Sequence, residues 1–134
     1  MQTISVALQD RSYPIWIENK LLAKLPELLT PMNKGQKWVI FSQNKIINLY
    51  GNSLRENLKS VGFQVEILVL PDGEKAKSLS IIEGIFSNLI ELDCDRSSTF
   101  LALGGGVVGD VTGFIAATYM RGVDYIQIPT TLLA

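Results

Sequence analysis

Histidine is missing altogether from the 134 residues, and cysteine occurs only once. The first absence removes the commonest general base and the commonest metal ligand, so any chemistry in this chain must use other groups. The second excludes an intrachain disulfide, and Cys94, in "LDCDRSS" beside an expected helix end, reads as an inert thiol. Neither sign of charge is in excess: twelve Lys and Arg against thirteen Asp and Glu leave a net charge of −1. With no basic cluster interleaved with aromatics, there is no footprint for a nucleic-acid backbone. Long apolar runs are also lacking. "LVL" and "FLAL" fall far short of a membrane span, and the first residues do not follow the basic-then-apolar pattern of a secretory signal. The expectation is a cytoplasmic protein that binds neither nucleic acid nor membrane.

What is present is material for one layered domain, with 47% of the residues hydrophobic. "TISVAL" and "YPIWIE" alternate apolar and polar positions around "QDRS", which predicts an N-terminal β-hairpin. From Asn19 to Leu29 leucines recur at helical spacing. "KWVIFS" is a strand, and Asn44 to Val61 is helical with a break near Gly51. "FQVEILVL" is the next strand, "PDGEKAKS" a loop, and Ser78 to Leu92 a helix with an apolar face. "STFLAL", a glycine-rich loop, a helix from about Val107 to Met120 and the strand "YIQI" follow; "PTTLLA" reads as a loop entering a further helix. Strands alternating with helices predict an α/β fold, a Rossmann-like doubly wound, mainly parallel sheet with the N-terminal hairpin attached. Ligands of such sheets sit at the carboxyl ends of the strands, which selects Ser42 to Lys45, Pro71 to Ser78 and Gly104 to Asp110. The apolar "LLA" at Ala134 carries no helix-stop signal, so the chain is expected to be a truncated piece of something longer.

Gly104, Gly106 and Gly109 fit G-x-G-x-x-G between a strand and a helix. Glycine admits the tight turn and close approach of a pyrophosphate, which free amides and the helix dipole attract; the alternative is a turn needed only for helix packing. The acid that usually follows the next strand and holds a ribose is absent, since "YIQIPTT" ends in proline and threonines. Asp72, Glu74 and Lys77 could supply that contact from a neighbouring strand end, or could belong to a solvated charged loop. Asp110, expected in the first turn of its helix, is either a dipole partner or an acceptor for the uncharged end of a ligand. Arg121 is a dipole partner or part of an anion site, and Thr130 and Thr131 include candidate N-caps.

In order, "LPDGEKAKS", "LALGGGVVGDVTGFIAATYMRGV" and "IQIPTTLLA" resemble the 3-dehydroquinate synthase family of the shikimate pathway over the whole chain. The resemblance implies the N-terminal NAD-binding domain, residues 1–134, cut before a helical C-terminal domain that holds a divalent metal, zinc or cobalt. It implies catalysis by the complete enzyme, dimeric in this family, and an inactive fragment. The reaction would turn a phosphorylated seven-carbon sugar acid, 3-deoxy-D-arabino-heptulosonate 7-phosphate, into 3-dehydroquinate and phosphate, with NAD used transiently. Family motifs place Asp72, Gly73, Glu74 and Lys77 on the NAD ribose, and Gly105, Gly106, Val107, Val108, Gly109 and Asp110 along the pyrophosphate and nicotinamide. They also place Thr130 and Thr131 on NAD and Arg121 on substrate, with no catalytic or metal-binding residue in this chain. Gln43 departs from the family's usual aspartate. Related sugar-phosphate cyclases such as 2-deoxy-scyllo-inosose synthase share much of this pattern, and the competing class is a nucleotide-binding module without chemistry.

Overall fold

A computed structural model describes all 134 residues. Strands β1 (Gln2–Val6) and β2 (Tyr13–Ile17) pair antiparallel in their own two-stranded sheet, as the alternation predicts. Ile4 faces Ile15 across it, and Trp16 packs against the core beneath. After helix α1 (Leu21–Leu29), the main sheet is formed by β3 (Lys37–Ser42), β4 (Gln64–Val69), β5 (Thr99–Gly104) and β6 (Asp124–Pro129). These are all parallel, in the order β4-β3-β5-β6.

Residues alternate between the two faces of a strand, so a strand covered on both sides needs apolar residues throughout. β3 and β5 meet that demand, and each contributes to two separate cores. Val39, Phe41, Phe100 and Ala102 pack against helices α4 (Leu79–Glu91) and α5 (Gly106–Thr118). Trp38, Ile40, Leu101 and Leu103 face α1 and α3 (Asn52–Ser60). The chain leaves β3 towards β4 on one side, and leaves β5 towards β6 on the other. Such a reversal opens a crevice between the carboxyl ends of the two middle strands.

The expected break near Gly51 is absent. A short α2 (Asn44–Ile46) passes through a π-helical turn, Ile47–Gly51, directly into α3, with helical torsions at each junction. Gly51 is buried, and a Cβ there would sit 3.4 Å from the Ile47 side chain, so the glycine serves packing within the extra-wide turn. After β6, residues 130–134 form a turn in which the Ala134 amide donates to the Thr131 carbonyl at 3.3 Å. No helix is long and apolar enough to cross a membrane.

At the β5–α5 corner, a Cβ on Gly104 would fall 2.6 Å from Cγ2 of the buried Val108. Gly104 is therefore a packing glycine. Gly104→Ala should lower unfolding stability by about 1–3 kcal/mol through overpacking, measured in urea. An unchanged midpoint would mean that Val108 swings aside freely.

Candidate functional site

Three loops rise at the carboxyl edge of the sheet. The loop after β3 begins at Gln43, whose carboxamide donates to the Pro71 carbonyl at 3.0 Å and ties it to the loop after β4. That second loop turns at Gly73, with φ +68, the left-handed region that favours glycine. It continues as a 3-10 turn, Gly73–Lys77, anchored by the fully buried Ala76. Asp72, Glu74 and Lys77 are left at the surface, and Ser78 caps α4 by accepting from the Ile81 amide.

Lys77 then reaches the third loop. Its ammonium lies 2.9 Å from an Asp110 carboxylate oxygen and 3.4 Å from Glu74. The hydrogen bond to Asp110, aided by both carboxylates' charge, holds the Lys77 pKa above its ordinary value. Three residues expected to share a site are thus joined across the crevice. Asp110, however, lies in the second turn of α5, because the helix starts at Gly106 with no acid in its first turn. Its partner is Lys77, and the dipole reading falls away.

The start of α5 is bare. Gly105 is the N-cap and offers no side chain to the first-turn amides, which have no intrahelical acceptors. A Cβ on Gly106 would meet nothing within 4 Å, so this backbone is open to close approach. Val107 and Val108 turn their side chains towards the core and can contribute only backbone amides. The segment after β6 closes the other side: the Thr130 amide donates to the Gly104 carbonyl at 3.0 Å, and the Thr131 methyl lies 3.3 Å from where a Gly105 Cβ would be. The Thr130 hydroxyl is buried without a hydrogen-bond partner. A cleft of about 220 Å³ runs along Gly104, Gly105, Gly106, Gly109 and Asp110.

An uncapped helix start and glycine backbone open to contact fit a phosphate-bearing ligand such as a dinucleotide. They do not fit a metal, since no group of three or more Cys, Asp or Glu side chains is gathered. A larger hollow of about 750 Å³, lined by Lys34, Gln36, Trp38 and Asp124, lies at the amino ends of the strands and holds none of the expected residues.

Arg121 is not brought to the cleft. It follows the far end of α5, where Met120, Arg121 and Gly122 all have positive φ and turn the chain into β6. At 1.5 Å per residue, the 13 residues of α5 place it about 20 Å from Gly106. Gln127 was missed from the sequence although it lines the cleft; the alternation of "YIQI" already set it apart from Ile126 and Ile128.

The family described as 3-dehydroquinate synthase N-terminal matches residues 67–134. The 3-dehydroquinate synthase of Pelotomaculum thermopropionicum is 45% identical over the whole of this chain, which covers 36% of that protein. Thus the chain spans about a third of the length of such relatives. Among solved structures, 2-deoxy-scyllo-inosose synthase complexed with carbaglucose-6-phosphate, NAD+ and Co2+ superposes with a TM-score of 0.84 at 25% identity, covering 97% of this chain and 35% of the other. The 2-epi-5-epi-valiolone synthase of Streptomyces hygroscopicus, with NAD+ and Zn2+ bound, gives 0.77 at 28% identity over 95% and 35%. By both its residues and its fold, the chain belongs to the 3-dehydroquinate synthase N-terminal family.

Proposed function

We propose that residues 1–134 are the NAD-binding domain of a cytoplasmic 3-dehydroquinate synthase. The observation that carries this reading is the uncapped start of α5, where nothing obstructs the Gly106 backbone. The backbone from Gly105 to Asp110 would hold the pyrophosphate, with Val107 and Val108 donating amides. Thr130 and Thr131 would close over the cofactor from β6. Asp72, Gly73, Glu74 and Lys77 would hold a ribose, replacing the acid that no residue after β6 provides. Lys77 also offsets the Asp110 charge, which alone would repel a phosphate. NAD bound here would supply reversible hydride transfer, leaving the cofactor unchanged over the cycle. The chain's own part is to bind, orient and shield it.

The remaining chemistry belongs outside these residues. A zinc or cobalt ion needs ligands that this chain does not gather. Arg121, on the opposite edge of the sheet, can meet a phosphorylated sugar acid only in a site completed by other parts of the enzyme or by a second subunit of a homodimer. A second reading, 2-deoxy-scyllo-inosose synthase, is favoured by the fold likeness to that enzyme. Identity of 42–45% to 3-dehydroquinate synthases against 25% supports the first.

The deciding assay is phosphate release by the full-length protein. With NAD and metal it should release phosphate from 3-deoxy-D-arabino-heptulosonate 7-phosphate and not from glucose 6-phosphate, the phosphosugar class of the inosose synthase complex. The 134-residue chain alone, even with zinc, should release none. The reverse preference would assign the inosose reaction, and activity on neither would leave a nucleotide-binding module.

Gly106→Val should abolish NAD binding in a calorimetric titration while leaving the melting temperature nearly unchanged, because the new side chain enters the ligand's space and not the core. NADP should bind at least tenfold more weakly than NAD, and Glu74→Ala should narrow that gap by removing the carboxylate that faces the added phosphate. Tighter binding of NADP by the unaltered protein would place the ribose elsewhere.

A further inference from the structure

β6 turns Ile126 and Ile128 to one core and Tyr125 and Gln127 towards α5. On the α5 side the contact is unusually close. A Cβ on Gly113 would lie 3.2 Å from the Tyr125 hydroxyl, and one on Gly109 would lie 3.2 Å from Nε2 of Gln127. Four residues along a helix advance about 6 Å, and two along a strand about 6.6 Å. The two glycines therefore form a ridge in step with the two β6 side chains. Tyr125 fills its place largely with a ring. At Gly109 the space is taken by a carboxamide, which lines the cleft together with Gly106 and Asp110.

Gln127 stays exposed on this edge strand, so its carboxamide is free to bond a ligand lying in the cleft. Gln127 offers one carbonyl acceptor and an NH2 donor group. Asp110, on the same wall, offers acceptors only. With Asp110 paired to Lys77, an anion gains nothing here and has a better place one turn earlier, at the bare amides near Gly106. The pair instead complements a neutral primary amide, which both donates and accepts.

We infer that Gln127 contacts the cofactor directly and hydrogen-bonds the carboxamide of its nicotinamide, and that Gly109 is a glycine in order to seat Gln127. The inference rests on the NAD reading above and deepens it. It also reassigns the third glycine of the loop, from admitting a phosphate to admitting a side chain.

The test uses the full-length protein and two ligands, NAD and ADP-ribose, which lacks the nicotinamide. Gln127→Leu should weaken NAD about five- to tenfold, the worth of a neutral hydrogen bond or two, and leave ADP-ribose within twofold. Gly109→Ala should reproduce this selective loss, because its methyl group pushes on Nε2 while leaving the open Gly106 backbone untouched. The double variant should bind NAD no worse than the weaker single one, as expected for residues acting through one contact. Equal loss of both ligands in Gln127→Leu would reduce Gln127 to a packing role and overturn the inference, as would unchanged NAD affinity. Failure of the NAD reading itself would look different: the unaltered protein would bind neither ligand, or Gly106→Val would bind both normally.

Discussion

The approach of α5 to the ends of β5 and β6 is the constraint from which the rest of the site follows. Helix and sheet normally stand apart by the bulk of the side chains between them. Here Gly104 gives way to Val108, Gly105 to Thr131, Gly109 to Gln127 and Gly113 to Tyr125. Without these side chains the first turn of α5 can sit directly on the carboxyl edge of the sheet. Its unpaired amides then open beside the crevice between β3 and β5, where the winding reverses. Of the loop glycines, Gly106 alone faces open space. Packing thus uses most of the motif in order to present one exposed stretch of backbone. The two explanations of the glycine loop, ligand and packing, describe different residues of it.

The layered architecture was legible because its causes are local. Unbroken apolar residues in β3 and β5, alternation in the hairpin and a 3.6-residue apolar period in α4 each report a burial pattern imposed on neighbouring residues. What escaped was set by contacts between distant segments or by a shift of a few residues. A helix starting at about Val107 puts Asp110 at the end of its first turn, and the observed start one residue earlier, at Gly106, moves it into the second. Gly51 suggested a break through its poor helix propensity, yet a π turn absorbs it against Ile47. The Lys77–Asp110 pair joins residues 33 positions apart, and no periodicity carries that information. Gln127 had only strand alternation to mark it, and alternation gives a face without saying what lies opposite.

The site divides mechanically as well as chemically. Its floor, the β5–α5 corner, is held by buried side chains packed against glycine, and such contacts resist displacement because any shift overlaps atoms or opens a void. Its walls are held by single polar tethers: Gln43 to Pro71, Lys77 to Asp110, Thr130 to Gly104. The ion pair among them is solvent-exposed, so the attraction between its charges is screened and worth little to stability. Its geometry nevertheless matters, because it ties the loop after β4 to the second turn of α5. A ligand that hydrogen-bonds either residue can replace that tether at small cost. A rigid floor with an open helix start, flanked by loosely tied walls, therefore suits a long ligand whose charged middle meets the floor and whose two ends meet the loops.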